Sequence, residues 1–406
     1  MPGQSLYSSS FLPDRMTAAE RRAGIGLASV FALRMLGMFL ILPVFSVAAK
    51  QFPGGEDYTL IGIALGAYGL TQAVCQIPFG MASDRLGRKP VIIGGLLMFA
   101  AGCLVAALAD TLYGVIAGRV LQGAGAISAA VTALAADLTR EQHRTKIMAM
   151  IGSSIGLVFA ASLVLAPLLF ALIGLKGIFL LTGLLSLLAI IVVMRWVPSA
   201  PPISPSRHFA SRQVLLDARL LRLNFGIFAL HLLQMALFVV IPGTLKSVGQ
   251  LPLSAHWQVY LPAVLASFLL MVPAILYAER HGKVKPVFLG AIALLGLTEA
   301  GLALGREHFP FLVFLILSFF VAFNTLEALL PSQVSRIVPA PMRGMALGVY
   351  NTTQAIGLFA GAGVGGWLLQ HCGSDTVFAA GTVLALLWLL VAAFMQEAAP
   401  HQPLSV

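Results

Sequence analysis

Four residues place chemistry where the chain is otherwise apolar: Arg34, His231, Asn324 and Glu327. Arg34 lies about 11 residues into its hydrophobic run, roughly 16 Å along a helix. His231 is similarly deep in a later run, and Asn324 and Glu327, three apart, share a helix face. In a lipid-like surrounding such side chains are expensive to keep and mark function by default. The chemistry they suit is proton loading. A carboxyl group shuttled between water and dry protein changes its proton affinity, and an imidazole changes charge close to neutral pH. The plainer reading makes Arg34 and Glu327 structural, paired with backbone or with each other, and His231 a packed, hydrogen-bonded side chain. Glu299, in the run between His231 and Asn324, fits neither reading.

A second concentration of polar chemistry is Gly80 to Pro90, with Asp84, Arg85, Arg88 and Lys89 wedged between the runs Thr59–Phe79 and Val91–Leu108. Each run has about 20 residues, enough helix to cross a bilayer's hydrocarbon core. Composition points the same way. Of 406 residues only 10% are charged and 59% are hydrophobic, with mean hydropathy +0.94, whereas a soluble chain carries about 25% charged residues. Lipid is therefore the solvent. A net charge of +10 suggests nucleic acid only when the basic residues cluster on a soluble surface, and here they fall between apolar runs. Cys75, Cys103 and Cys372 have no paired or metal-like spacing, so neither a disulfide framework nor a metal site is expected. The first apolar run is too long for a signal-peptide core. A Ser-His-Asp spacing and a Walker sequence are both missing, which argues against a hydrolase and an ATP-driven pump.

The elements that must position these residues read as twelve spans: about Ala23–Ala49, Thr59–Ala82, Val91–Leu108, Leu112–Ala136, Ile147–Ala171, Gly174–Val197, Leu220–Leu245, Trp257–Tyr277, Pro286–Leu304, Pro310–Val334, Met345–Leu369 and Val377–Met395. The reading is an all-α membrane protein of two six-helix halves, 1–197 and 219–406, joined by a Pro/Ser-rich linker at 198–218. On the side of the N-terminus lie nineteen Lys and Arg residues against four on the other side, so the positive-inside rule puts both termini in the cytoplasm. The halves echo one another. Asp84-Arg85-Leu86-Gly87-Arg88-Lys89 is matched by Glu279-Arg280-His281-Gly282-Lys283, and Ala32-Leu33-Arg34 through Pro43 by Ala229-Leu230-His231 through Pro242, at offsets of 195–199 residues. Repeated halves with a site at the midplane between them suit a transporter.

The order Gly80-x-x-x-Asp84-Arg85-x-Gly87-Arg88-Lys89 resembles the loop 2–3 signature of the major facilitator superfamily. Arg119-Val120-Leu121-Gln122-Gly123-Ala124-Gly125-Ala126 resembles that family's span-four motif, whose Arg is linked to proton-coupled members. The resemblance runs from Arg21 to about Met395 and is nearest the drug:proton antiporter group, its YajR-like branch in particular, through Ser29 to Met38, Tyr68 to Val74 and Val321 to Asn324. It departs in span five. There the antiporter motif ends Gly-Pro-x-x-Gly-Gly, while this chain reads Ala166-Pro167-Leu168-Leu169-Phe170-Ala171. Some members of the branch carry a further C-terminal domain, which is not expected here, since the sequence ends soon after the twelfth span.

The resemblance implies alternating access by spans 1, 4, 7 and 10 around a central cavity. Arg34, Arg119, Gln122, His231, Gln234, Asn324 and Glu327 are then candidates for substrate binding or proton coupling, with Arg34 facing Glu327 across the cavity. Gly80, Asp84, Arg85, Gly87, Arg88, Lys89, Asp137, Arg144 and Arg343 are candidates for the gate. Arg88 is expected to pair with Asp137, and Asp84 to approach the start of span eleven. The function expected is secondary active transport, proton-coupled efflux of drug-like or lipophilic compounds, with no cofactor beyond the proton gradient and no nucleic acid, by a monomer in the bacterial inner membrane. Export or uniport of sugars or other polar metabolites remains open, as does a non-transporting receptor or assembly protein of the same fold.

Overall fold

A computed structural model describes residues 16–198, 216–338 and 342–395. The described residues are helical, without strands. Most of the expected linker, 199–215, lies outside them. In the first half the helices are α1 (Ala18–Phe39), α2 (Leu42–Ala48), α3 (Tyr58–Leu86), α4 (Arg88–Leu108), α5 (Leu112–Ala124), α6 (Ser128–Asp137) and α7 (Glu141–Arg195). In the second they are α8 (Ala218–Ser247), α9 (Trp257–Arg280), α10 (Val284–Gly305), α11 (Phe309–Ile337), α12 (Arg343–Cys372) and α13 (Ser374–Ala393). Ten segments of the described residues are long and apolar enough to cross a membrane. One of them is α7, whose 55 residues are interrupted at Gly174, and α12, rich in glycine and polar side chains, is outside that count. Dividing α7 and adding α12 is consistent with twelve crossings.

Local chemistry explains where the helices begin. Thr17 caps α1 in a box closed by Glu20, so the helix starts five residues before the expected Ala23. The Asp57 and Asp217 carboxylates accept backbone N–H groups at the starts of α3 and α8, and the Thr111 hydroxyl does so at α5. Two expected spans are each broken. Span one parts at Leu40–Ile41, just ahead of Pro43, which cannot donate into a preceding turn. Span four parts at Gly125–Ile127, where a Cβ on Gly125 would overlap the Gly95 carbonyl of α4. That break frees the Gly125 carbonyl for a side chain. Left-handed glycines repeat between the halves as well: Gly87 (φ +94°) and Gly282 (φ +65°) turn α3 into α4 and α9 into α10, while Gly174 (φ +66°) and Gly373 (φ +83°) do so within α7 and between α12 and α13. Only glycine takes these angles without strain.

The halves meet along α3 and α12, with α2 against α8 and α7 against α9 as further contacts. A Cβ on Gly62 would overlap the Ala362 carbonyl, one on Gly366 would overlap that of Tyr58, and one on Gly69 would lie 2.7 Å from that of Ala355. Backbone therefore packs on backbone, the close approach that small residues allow in membranes. The Tyr58 N–H donates to Gln370 Oε1 at 2.9 Å and the Ser46 hydroxyl to the Phe238 carbonyl at 3.3 Å. All of these contacts lie toward the face opposite the basic turns at Gly87 and Gly282. Nearer the basic face a Cβ on Gly348 would meet only open space. Among the glycines of α3 and α12, backbone contact between the halves is thus confined to the face away from the basic turns.

Gly62→Val tests this seal. The added side chain must push α3 off α12, and we expect a loss of about 1–3 kcal/mol, seen as a lower melting temperature in detergent, with faster labelling of a cysteine placed at Tyr58. Unchanged melting and labelling would show that the two backbones are not in contact.

Candidate functional site

In the second half, α8, α11 and α12 bring three polar side chains together below the seal. His231 Nδ1 lies 3.2 Å from the Ile227 carbonyl oxygen. A carbonyl only accepts, so Nδ1 carries the proton and a neutral ring offers Nε2 as acceptor. That Nε2 sits 2.7 Å from the Gln354 amide nitrogen and 3.8 Å from Glu327 Oε2. Glu327 Oε2 is buried without a hydrogen-bond partner, yet 37% of the side chain is exposed. One carboxyl oxygen thus faces the imidazole while part of the side chain is reached by solvent. Asn324, on the same face, donates its amide to the Ser267 hydroxyl at 2.8 Å, tying α11 to α9. Gln234 is buried, one turn beyond His231.

An aromatic roof covers this cluster. Phe159 of α7 lies 5.1 Å, centroid to centroid, from Phe39 of its own half, and 6.3, 6.3 and 5.9 Å from Phe238, Phe320 and Phe323 of the other. Phe323 in turn meets the His231 ring edge-on at 5.7 Å. Rings pack in this way without stacking face to face. The roof thus joins the two halves directly above the imidazole.

In the first half the expected pairing of Arg34 with Glu327 is replaced by another arrangement. Arg34 is wholly buried, donates from Nη2 to the Gly125 carbonyl at 3.2 Å, and leaves Nε and Nη1 without partners. Its guanidinium lies 5.7 Å from the Tyr68 ring and 6.0 Å from that of Phe99. Arg119, equally buried, donates to Gln122 Oε1 at 2.9 Å and to the Ala64 and Leu65 carbonyls at 3.4 and 3.3 Å, and stands 5.0 Å from Tyr68. Gln122 passes its own amide on to Cys103 Sγ at 3.2 Å. Among the described residues neither arginine has a carboxylate partner; helix carbonyls and one shared ring carry both charges. The broken span four is what places the Gly125 oxygen within reach of Arg34.

At the basic face Arg88 binds Asp137 through Nε at 3.0 Å, the Ser83 hydroxyl through Nη1 at 2.7 Å, and Asp84. Arg88 therefore pairs with Asp137 as the sequence implies. Asp84 pairs with Arg88; the Arg343 side chain, at the start of α12, lies outside the described residues. Lys89 Nζ donates to the Val197 carbonyl at 2.6 Å. Arg144 closes the end of α6 through the Ala136 and Thr139 carbonyls at 3.2 and 3.3 Å. Arg85 is exposed, and Gly80 packs 3.5 Å, measured from its ideal Cβ, from Ala129.

The sequence profile of the Major Facilitator Superfamily matches residues 27–224 and again 223–405. The chain belongs to this superfamily. It is 47% identical over 393 residues to the inner membrane transport protein YajR of Escherichia coli K12, across 94% of this chain and 85% of that one. It is 25% identical to the multidrug resistance protein MdtH of Proteus mirabilis, across 83% and 84%. In fold it matches the crystal structure of the human organic anion transporter MFSD10, with a TM-score of 0.69 and 20% identity over 93% of this chain and 100% of the other. The chain is a membrane transporter by family, not an enzyme.

Within that family frame the arrangement can do two things. It sets Glu327 Oε2 3.8 Å from His231 Nε2, and it lays that imidazole against Phe323 of the roof. Sequence reasoning missed Gln354, Ser267 and the Phe159 cluster. Asn351, Thr352, Thr353 and Gln354 form a polar run inside α12, a signal of the same kind that singled out Glu327; the aromatic roof has no such signal, since phenylalanine is common in any span.

Arg119→Lys provides a check on the first half. Lysine cannot reach two carbonyls and Gln122 from one planar fork, so we expect a loss of about 1–3 kcal/mol and a correspondingly lower melting temperature. Wild-type melting would mean that the fork geometry is dispensable.

Proposed function

We propose that this protein is a proton-driven exporter of drug-like, lipophilic compounds that works by alternating access. The observation that supports it is the approach of Glu327 Oε2 to His231 Nε2 at 3.8 Å, beneath a roof that joins the halves. The basic face is then cytoplasmic, as the distribution of Lys and Arg implies, and the state described is open inward. The relative named for multidrug resistance and the relative named for inner-membrane transport agree with this reading of substrate class and location.

In the cycle, the inward-open cavity lets the Glu327–His231 pair release its proton to the cytoplasm as a substrate enters from the same side. The ionised carboxylate favours compounds that carry positive charge. Rocking of the halves breaks the α3–α12 seal and closes the basic face, where Asp84 approaches the start of α12. A proton from outside then returns to the pair and displaces the substrate. Proton and substrate compete for one carboxylate, which is what couples them. No cofactor is needed, the partners are substrate, proton and bilayer, and one chain forms the complete path.

Proteoliposomes carrying Glu327→Gln test the assignment. We expect the variant to bind substrate and exchange it without coupling, and to lose its response to an imposed pH gradient. If it still concentrates substrate against its gradient as wild type does, the proton is carried elsewhere.

A further inference from the structure

Glu299 of α10 takes no part in the cluster just described, and it is only 2% exposed. Its Oε1 is buried without a hydrogen-bond partner. A carboxyl placed in hydrocarbon with an unanswered oxygen is costly to maintain, and nothing in the packing of the second half requires it. What it faces is Gly381 of α13. A Cβ at Gly381 would collide with Glu299 Oε2 and lie 3.0 Å from Leu233 Cδ2. The glycine thus opens the space that the carboxyl occupies.

Gly381 and Leu233 also form the floor of a cleft of about 190 Å³ between α8, α12 and α13. Its walls are almost wholly apolar, with Ala236, Gly365 and Ala380 among them. Val364 and Ala380 at its rim are exposed, so the cleft opens on the outer surface of the bundle, which in a membrane faces lipid. Ala236 is some 18 residues along α8, about 27 Å from its start at 1.5 Å per residue, a depth at which lipid headgroups are absent. A group seated on the floor is one side chain away from an otherwise unpaired carboxyl.

We infer that this cleft is a binding site for a lipophilic amine arriving from the bilayer, its apolar body between α8, α12 and α13 and its ammonium group turned toward Glu299. The apolar walls suit the hydrocarbon part. The buried carboxyl can pass its proton to the arriving amine, leaving a carboxylate–ammonium pair joined by charge-assisted hydrogen bonds. The site lies outside the central cavity, and binding there stands whether or not the bound compound is carried.

Purified protein in lipid nanodiscs can be titrated with dodecylamine bearing a terminal diazirine, with dodecanol bearing the same group as the neutral control. Illumination followed by peptide mapping locates the label. The inference expects saturable amine labelling of α12 and α13 at the cleft. It also expects the affinity for the amine to fall at least about tenfold in Glu299→Gln, with dodecanol labelling unchanged. Ala380→Trp, which fills the cleft from its exposed rim, should abolish labelling by both. Melting curves confirm that each variant is folded; should Glu299→Gln not fold, the Ala380→Trp comparison and the preference of wild type for amine over alcohol decide. Equal affinity for amine and alcohol in wild type, or cleft labelling indifferent to either substitution, would overturn the assignment. Loss of proton coupling in Glu327→Gln with amine binding intact separates this site from the transport reading.

Discussion

The contact of two helix backbones, α3 on α12, is the constraint on which the rest of this structure hangs. Gly62, Gly69 and Gly366 have no side chains to hold those helices apart, and in lipid there is no hydrophobic drive to bring them together, only close packing and hydrogen bonds. The contact is therefore tightest where the glycines are. It seals one face, and below it Glu327 is partly exposed while His231 beside it is buried. A packed interface of this kind has discrete arrangements and does not yield by degrees, which is what a transporter that must never be open at both ends requires.

The same seal governs the polar chemistry. Phe159 belongs to the first half and Phe323 to the second, and His231 lies against Phe323. The imidazole is thus one ring away from the surface where the halves meet. The first half has a different task. Its two buried arginines, held by Gly125, Ala64 and Leu65 carbonyls and by Tyr68, bind a broken α5–α6 to α1 and α3 and keep that half rigid. Rigidity on one side and a titratable cluster on the other is a natural division of labour for a rocking pair.

Much of this was legible in the chain itself. The Asp84 to Lys89 turn and its echo at Glu279, and the depth of Glu327 and His231, follow from charge set against long apolar runs, where every polar residue stands out; the Arg88–Asp137 pair was implied by the family resemblance. Helix interruptions were less visible. Pro43 breaks its span through its own missing N–H, but Gly125 breaks one because of what packs beside it, and a neighbour such as Gly95 cannot be read from local sequence. The partner of Arg34 was misplaced for a related reason: depth along a helix is countable, but the direction a side chain takes around it depends on packing. Gln354 was overlooked although its polar neighbours in α12 mark that stretch, and the glycine beside Glu299 acquires meaning only once α10 and α13 are side by side.

In the cycle proposed, protonation at Glu327 and His231 moves the two faces in opposite senses. With the native cysteines replaced, spin labels at Tyr58 and Gln370 report the sealed face, and labels at Met81 and Gly348 report the basic face, by electron–electron double resonance in nanodiscs. Lowering the pH from about 8 to about 5, across the range in which an imidazole and a carboxyl titrate, should redistribute both distances reciprocally, one pair approaching as the other separates, and Glu327→Gln should hold a single distribution at every pH. Distances that ignore pH in the wild type, or that lengthen together at both faces, would contradict it.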